Sequence, residues 1–253
     1  MKLVSLIIPA YNEAARITNT VLEAVAYFAE SGLASEIIVS ADGTDGTREA
    51  AQQLIAKHPQ IRVIGSPARR GKGHGIRQAV RIASGDIIGF SDADNKTPIT
   101  ELDKMLPLLR AGTDVVIGSR GLRQSRIERP QPWYRRVGSR GFALFMQTAV
   151  GLPGIVDTQC GFKFFQGDVA RDLFRQQQID GYMFDVEILY IARQRGYRIE
   201  QVPVRWRDDG DSRLNLVAGN LRNVRDILGI RWRHRQVGHA ADIVSEPVSR
   251  TDS

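Results

Sequence analysis

Apolar runs and segments of helical period alternate from residue 3 to residue 119, and few folds accept that order. Leu3–Pro9 reads LVSLIIP, the continuous apolar run expected of a strand buried on both faces. A helical pattern follows from Asn12-Glu13 to about Glu30 and stops at Gly32, with Ile17, Val21, Leu22, Val25 and Phe28 on one side. Glu36–Ser40, Ile61–Gly65, Asp86–Ser91 and Asp114–Ser119 read as strands, and Thr47–His58, Lys72–Ser84 and Thr100–Arg110 as the helices between them. This alternation predicts βαβ units: an α/β fold with a mostly parallel, Rossmann-like sheet flanked by helices. Ligands of such sheets bind beyond the carboxyl ends of the strands.

Past residue 120 the pattern changes. A helical stretch from about Trp133 to Val150 precedes a short strand at Gly161–Phe165, helices at Asp168–Gln176 and Met183–Arg195, and a strand at Arg198–Trp206. A final helix, Leu214 to about Arg235, places Leu214, Val217, Leu221, Val224 and Leu228 on one face. Residues 1–235 are therefore expected to form one domain with halves at 1–118 and 119–235, and polar 236–253 a disordered tail. The charge divides at the same place. Residues 1–118 carry 13 basic and 13 acidic side chains, whereas 119–140 hold seven Arg against one Glu and 195–235 ten Arg against five acids. Seven Arg in so short a segment self-repel, which favours an anionic partner, and the Arg fork suits phosphate.

One cysteine, Cys160, excludes an intrachain disulfide and fits a reducing compartment. Met1-Lys2 runs straight into the first strand-like segment, without a signal-peptide pattern. The longest uncharged stretch, Gly141–Val156, has 16 residues broken by Gln147, Gly151, Pro153 and Gly154, short of the roughly 20 a bilayer span needs. No transmembrane helix is expected. A surface location remains open, since Trp133, Tyr134 and the Trp232-bearing last helix combine aromatics with Arg as interfacial elements do; core packing explains Phe142, Leu144 and Phe145 equally well.

Four features fall at strand ends: Pro9-Ala10-Tyr11-Asn12-Glu13, Asp42-Gly43-Thr44-Asp45-Gly46-Thr47, Arg69-Arg70-Gly71-Lys72-Gly73-His74-Gly75 and Asp92-Ala93-Asp94. Tyr11 can stack on a base, and Glu13 and Asp42 can accept hydrogen bonds from base N–H or ribose hydroxyls. Asp92 and Asp94 suit a hard divalent ion bridging phosphates. The glycines and Lys72 at a helix start suit an anion. Each has a plain structural alternative: Asp-Gly pairs are turn residues, and the two aspartates could sit in a solvated loop or cap a helix. Gly71–Gly75 fits neither the dinucleotide fingerprint nor a Walker loop. The four His (58, 74, 234, 239) lack metal-ligand spacing, and surface or loop positions are expected for all but His74. Cys160 reads as a packed residue, with no nucleophilic dyad in view.

In that joint order the features resemble the GT-A, family 2 nucleotide-sugar glycosyltransferases, over roughly residues 3–235. Gly118-Ser119-Arg120, Asp157-Thr158-Gln159-Cys160-Gly161-Phe162-Lys163 and Phe184-Asp185-Val186-Glu187 narrow the resemblance to the polyprenyl-phosphate sugar synthases, nearest the dolichyl-phosphate β-glucosyltransferases, with dolichyl-phosphate mannosyltransferases as near relatives. The resemblance implies that Pro9, Ala10, Tyr11, Glu13 and Asp42 hold the donor nucleoside and that Lys72 serves the donor, with Asp92 and Ala93 beside ribose and phosphate. Asp92 and Asp94 would bind Mg²⁺ or Mn²⁺. Arg120, Arg135 and Ser139 would grip the acceptor phosphate; Lys163, Arg207 and Arg213 match basic positions near the diphosphate. Asp92, Asp94, Arg120 and Asp157 form the implied catalytic set. Two departures stand out. Ala41 replaces the first Asp of the family's second loop, which is one residue shorter here, and Asn95-Lys96 follows Asp94 where mannosyl relatives carry a polar metal-side ligand.

The implied activity is inverting, metal-dependent transfer of a hexose from UDP-glucose to a polyprenyl or dolichyl phosphate, by an enzyme peripheral on the cytoplasmic face of a membrane. GDP-mannose as donor, or a soluble acceptor, is the alternative within the class. Nucleic-acid binding is raised only by the basic charge and leaves Asp92-Ala93-Asp94 idle, so no nucleic-acid partner is expected.

Overall fold

The computed structural model describes residues 2–128, 150–207 and 220–235. The first half follows its sequence pattern closely. Strand β1 (Val4–Tyr11) leads into helix α1 (Ala14–Ser31), which ends on left-handed Gly32. Then come β2 (Ser35–Asp42), α2 (Thr47–Leu54), β3 (Ile61–Ile64), α3 (Lys72–Ile82) and β4 (Ile87–Ser91). The helix expected over Thr100–Arg110 is instead a 3₁₀ turn, Ile99–Lys104, and a short α4, Leu106–Arg110. Pro107 accounts for the break: it has no N–H to give to a continuing helix, and it sits in the first turn of α4, where that donor is not needed. β5 (Val115–Ser119) closes the half.

The second half does not build a separate layer. It comprises β6 (Arg126–Ile127), β7 (Phe162–Gln166), α5 (Gly167–Gln176), α6 (Phe184–Gln194), β8 (Ile199–Pro203), β9 (Arg205–Trp206) and α7 (Asn220–Arg233). The main sheet has seven strands in the order β3-β2-β1-β4-β7-β5-β8. β7 is inserted between β4 and β5 and runs antiparallel to both, while every other neighbouring pair is parallel. The strand expected over Arg198–Trp206 changes partner after Pro203: β8 pairs with β5, and β9 leaves to form a two-stranded parallel ribbon with β6. Proline cannot donate to a continuing ladder, so the change falls at a natural break.

Alternate side chains of the strands feed two cores. Ile7, Ile38, Phe90, Ile117 and Phe165 face α3, α5 and α6; Leu6, Ile8, Val39, Val116 and Phe164 face α1, the 3₁₀ turn and α4. Helix α7 buries Asp226, Ile227 and Ile230, while Leu228 is 62 % exposed. One expectation fails at this end. His234, expected at the surface, is buried and its Nε2 lies 2.8 Å from Glu187 Oε1. The same Glu187 carboxylate accepts the backbone N–H groups of Gln178 and Ile179, so one buried acid ties α6, α7 and the 177–183 segment together. Leu214 and Val217, the 133–149 part of the expected interfacial helix, and the 236–253 tail lie outside the described residues. Among the described residues no helix is long and apolar enough to cross a membrane.

Candidate active site

The parallel strands deliver their carboxyl ends to one edge, and the predicted features gather there in two groups. In the first, Tyr11 and Asp42 are register partners at the ends of β1 and β2, and Pro9 and Ala10 pair with Ser40 and Ala41. Tyr11 is 39 % exposed, with the Arg69 guanidinium 4.4 Å from its ring centre. The Asp42 carboxylate is already in use: Oδ1 accepts the Ser66 N–H at 3.1 Å and Oδ2 the Arg70 N–H at 2.8 Å, pinning the loop before α3. Asp45 similarly receives the N–H groups of Thr47 and Ala14 and so joins the starts of α2 and α1. Glu13 donates its N–H to Thr47 Oγ1, and its carboxylate lies 3.9 Å from Arg16.

The glycine-rich start of α3 differs from the anion cradle expected of it. Gly71, at φ +112°, and Gly73 pack against residues 179–184 so closely that a Cβ at either would collide with backbone there. The His74 N–H goes to the Asp180 carbonyl, and Arg77 Nη2 lies 2.6 Å from the Asp180 carboxylate. These glycines permit close packing. Lys72 points instead at the second group, with Nζ 2.6 Å from Asp92 Oδ1.

That second group surrounds Asp92-Ala93-Asp94 at the end of β4. The Ala93 carbonyl accepts the Thr20 hydroxyl, fixing the turn to α1, and Asn95 adopts φ 52° as the chain doubles back. Asp94 accepts the Lys96 N–H, and a cavity of about 240 Å³ beside it is lined by Arg16, Asn19, Asn95 and Arg207. Burial, aided by the charge of Asp92, pushes the Asp94 carboxyl above its ordinary value. A buried carboxyl beside a second carboxylate is a donor set a divalent cation relieves, and the hard oxygens suit Mg²⁺ or Mn²⁺. Among the described residues no third His, Cys, Asp or Glu joins them. Asp92 and Asp94 thus fit a divalent metal ion, which these two carboxylates would hold.

The Asp157–Lys163 heptad closes on Asp92 from the other side of the site. Gly161 accepts the Asp92 N–H through its carbonyl, and a Cβ at Gly161 would collide with the Asp92 carboxylate. Asp157 takes the Arg120 fork on both oxygens, Nε to Oδ2 at 2.7 Å and Nη2 to Oδ1 at 2.9 Å. Burial alone would raise the Asp157 carboxyl, but the guanidinium overrides it and holds the group at about 2. Burial pushes the Cys160 thiol up to about 11, as befits an inert packed residue.

Lys163 departs from expectation. It is wholly enclosed, and its ammonium goes to Asp185 Oδ1 and the Cys160 carbonyl, both at 2.6 Å. It is an internal counter-charge, not a group presented at the crevice wall. Arg207 is half exposed, near Glu128 at 3.4 Å, and its N–H is held by the Lys96 carbonyl. Arg135, Ser139 and Arg213 lie outside the described residues. Sequence reasoning passed over Trp206, whose ring centre lies 5.6 Å from Lys96 Nζ and 5.5 Å from Arg120 Cζ, and Asp185, seen only as part of a motif. No local signal marks either, because their neighbours come from β4, β5 and β7.

A doubly wound sheet with one antiparallel strand inserted beside β4, and paired acids at the end of β4, is the GT-A architecture of glycosyltransferases. The chain matches the family model of glycosyl transferase family 2 over residues 5–174, and it belongs to that family. It is 34 % identical over 235 residues to a dolichyl-phosphate beta-glucosyltransferase of Trichomonas vaginalis, covering 88 % of this chain and 69 % of the relative. A dolichyl-phosphate beta-glucosyltransferase of Dictyostelium discoideum is 31 % identical over 243 residues, covering 91 % and 74 %. Among solved structures, the glucosyl-3-phosphoglycerate synthase of Mycobacterium tuberculosis in complex with Mn²⁺, uridine diphosphate and phosphoglyceric acid superposes with a TM-score of 0.66 at 23 % identity, over 91 % of this chain and 78 % of that one.

Proposed function

We propose that this glycosyltransferase moves glucose from UDP-glucose to a polyprenyl or dolichyl phosphate, with inversion, at a membrane surface. One observation carries the reading. The heptad that supplies Asp157, the partner of Arg120, also packs Gly161 directly onto Asp92, so an acceptor-side cation and a donor-side carboxylate share one wall. The named relatives, matched over about nine-tenths of this chain, support the choice of substrates.

The first group then holds the nucleoside, with Tyr11 offering a ring face and Glu13 a carboxylate. Asp92 and Asp94 would hold Mg²⁺ or Mn²⁺, which supplies charge neutralisation on the departing diphosphate. Arg207, beside Asp94, adds a cation to the same leaving group, as Arg213 would. Arg120, with Arg135 and Ser139, meets the acceptor phosphate. That phosphate is ionised near pH 7 and needs no side chain to strip a proton from it. Its requirement is charge compensation, since two anionic reactants must meet, and Arg120 provides it while Asp157 keeps the fork oriented. Helix α7 supplies the membrane contact through Leu228 and Trp232, 62 % and 70 % exposed, beside Arg231 and Arg235. The association is peripheral, on the cytoplasmic side where nucleotide sugars are made.

The test is a donor-by-acceptor screen of the purified protein with Mg²⁺ or Mn²⁺. UDP-glucose and GDP-mannose are each offered with polyprenyl phosphate and with soluble acceptors such as 3-phosphoglycerate. Glucosyl transfer into the lipid fraction is expected. Transfer to soluble acceptors alone, or from GDP-mannose alone, overturns the reading.

A further inference from the structure

We infer that Lys72 is an internal latch on the metal-binding carboxylate: it occupies Asp92 while the site is empty and gives it up when cation and nucleotide diphosphate arrive together. The inference rests on the proposed assignment of Asp92 to the metal. Lys72 Nζ lies 2.6 Å from Asp92 Oδ1, so the ammonium engages an oxygen that a metal held by Asp92 would compete for. Asp92 is the more open partner, with 38 % of its side chain exposed against 16 % for Lys72. The lysine is therefore committed to the interior and the aspartate to the crevice.

A buried ammonium without an anion is costly. Lys72 and Lys163 stand over the same Phe90 ring, 6.0 Å and 5.5 Å from its centre, so Asp185, the partner of Lys163, is the next acid in this neighbourhood. Asp185 lies on the first turn of α6, fully enclosed and anchored by Lys163. The rings of Phe90 and Phe184, with centres 6.0 Å and 5.9 Å from Lys72 Nζ, offer their faces to the cation in the same chamber. Lys72 leaving Asp92 thus stays partly compensated, and a diphosphate reaching the same edge supplies the missing anion.

Coupling follows from this exchange. A cation alone must displace the ammonium from Asp92 and leave it undercompensated. A cation arriving with a nucleoside diphosphate replaces both interactions. Lys72 therefore makes the two ligands bind cooperatively, each helping the other by the same factor.

Mn²⁺ binding followed by electron paramagnetic resonance, first without nucleotide, is the test. Lys72→Met and Lys72→Gln, each checked for a wild-type thermal melt, should bind Mn²⁺ about 10-fold more tightly than the wild-type chain. Lys96→Met removes a cation 3.8 Å from the other carboxylate, Asp94, without vacating a ligand position, and should change Mn²⁺ affinity about 2-fold or less. Saturating UDP should tighten Mn²⁺ in the wild type and do so distinctly less in both Lys72 variants. An equal gain in all three variants overturns the latch, since charge alone then accounts for it. Unchanged or weaker Mn²⁺ binding in the Lys72 variants overturns it too. A wild-type chain that binds no Mn²⁺ even with UDP overturns the metal assignment itself, so the two failures are distinguishable.

Discussion

The two ends of the crevice use carboxylates in opposite ways. Beside β1 and β2, Asp42 and Asp45 spend their oxygens on backbone N–H groups and so fix loops. Beside β4, β5 and β7, acids face cations: Lys72 with Asp92, Lys163 with Asp185, Arg120 with Asp157. A backbone N–H bond sets a shape and has no reason to exchange. An ion pair at a crevice can open to admit a ligand of either sign, provided that a second counter-charge stands nearby. The end proposed for the nucleoside is a mould; at the end proposed for metal and acceptor, Lys72–Asp92 and Arg120–Asp157 face the crevice and can exchange, while Lys163–Asp185 is enclosed behind them.

The sharpest break of that comparison is at Asp94. Asp94→Ala loses one backbone contact, to Lys96, and should keep a wild-type melt while sugar transfer falls about 1,000-fold or more, if its oxygens serve a metal. Transfer at the wild-type rate would remove Asp94 from the site. Next is the buried pair. Lys163→Met leaves Asp185 enclosed without its partner and should cost about 3–5 kcal/mol in denaturant unfolding, whereas Lys163→Met combined with Asp185→Leu should recover most of that loss. No recovery in the double variant would mean that the pair does more than compensate charge.

Arg120→Ala should raise KM for the acceptor about 10- to 100-fold and leave KM for the donor near its wild-type value, as steady-state kinetics with each substrate varied would show. Its partner gives a pH signature. The folded Asp157 carboxyl is held at about 2, below its unfolded value near 4. Its stabilisation is therefore complete above pH 4 and lost as pH falls through 2. The amount is about 2 kcal/mol, seen as a shallower acid limb in unfolding of Asp157→Asn. The smallest effect belongs to the mould: Asp42→Ala frees two backbone N–H groups near the surface and should cost about 1 kcal/mol, with slightly weaker nucleotide binding by calorimetry. A large loss of stability there would erase the distinction between the two ends.

Much of this was legible in advance. β1 through α3 came from period and punctuation alone, since Pro9, Gly32 and the Asp-Gly pairs act on their own neighbours. The order of the four strand-end features carried the family resemblance, and with it the expectation of a nucleotide-sugar site. Less visible was how those residues would be used. Asp42 reads as a ribose acceptor or an ordinary turn residue, and nothing local foretells that its oxygens hold the Ser66 and Arg70 N–H groups. Lys163 reads as a phosphate-facing cation until the sheet closes over it. Leu228 falls in an apolar stripe of the sequence yet is exposed, while Asp226 and, just past α7, His234 are buried and find partners in Arg233 and Glu187.

The sequence by itself determined the alternation of strands and helices, the division between a neutral first half and a basic second half, and which charged and aromatic residues fall at the strand ends. These are set by period, composition and short-range turn chemistry. Tertiary structure alone decided that β7 would insert antiparallel between β4 and β5, and everything charged depends on it. That insertion carries Gly161 onto Asp92, buries Lys163 against Asp185 and brings the heptad's Asp157 to Arg120. Pairing between strands more than 40 residues apart leaves no periodic trace, because it depends on which edges remain open once the local units have formed.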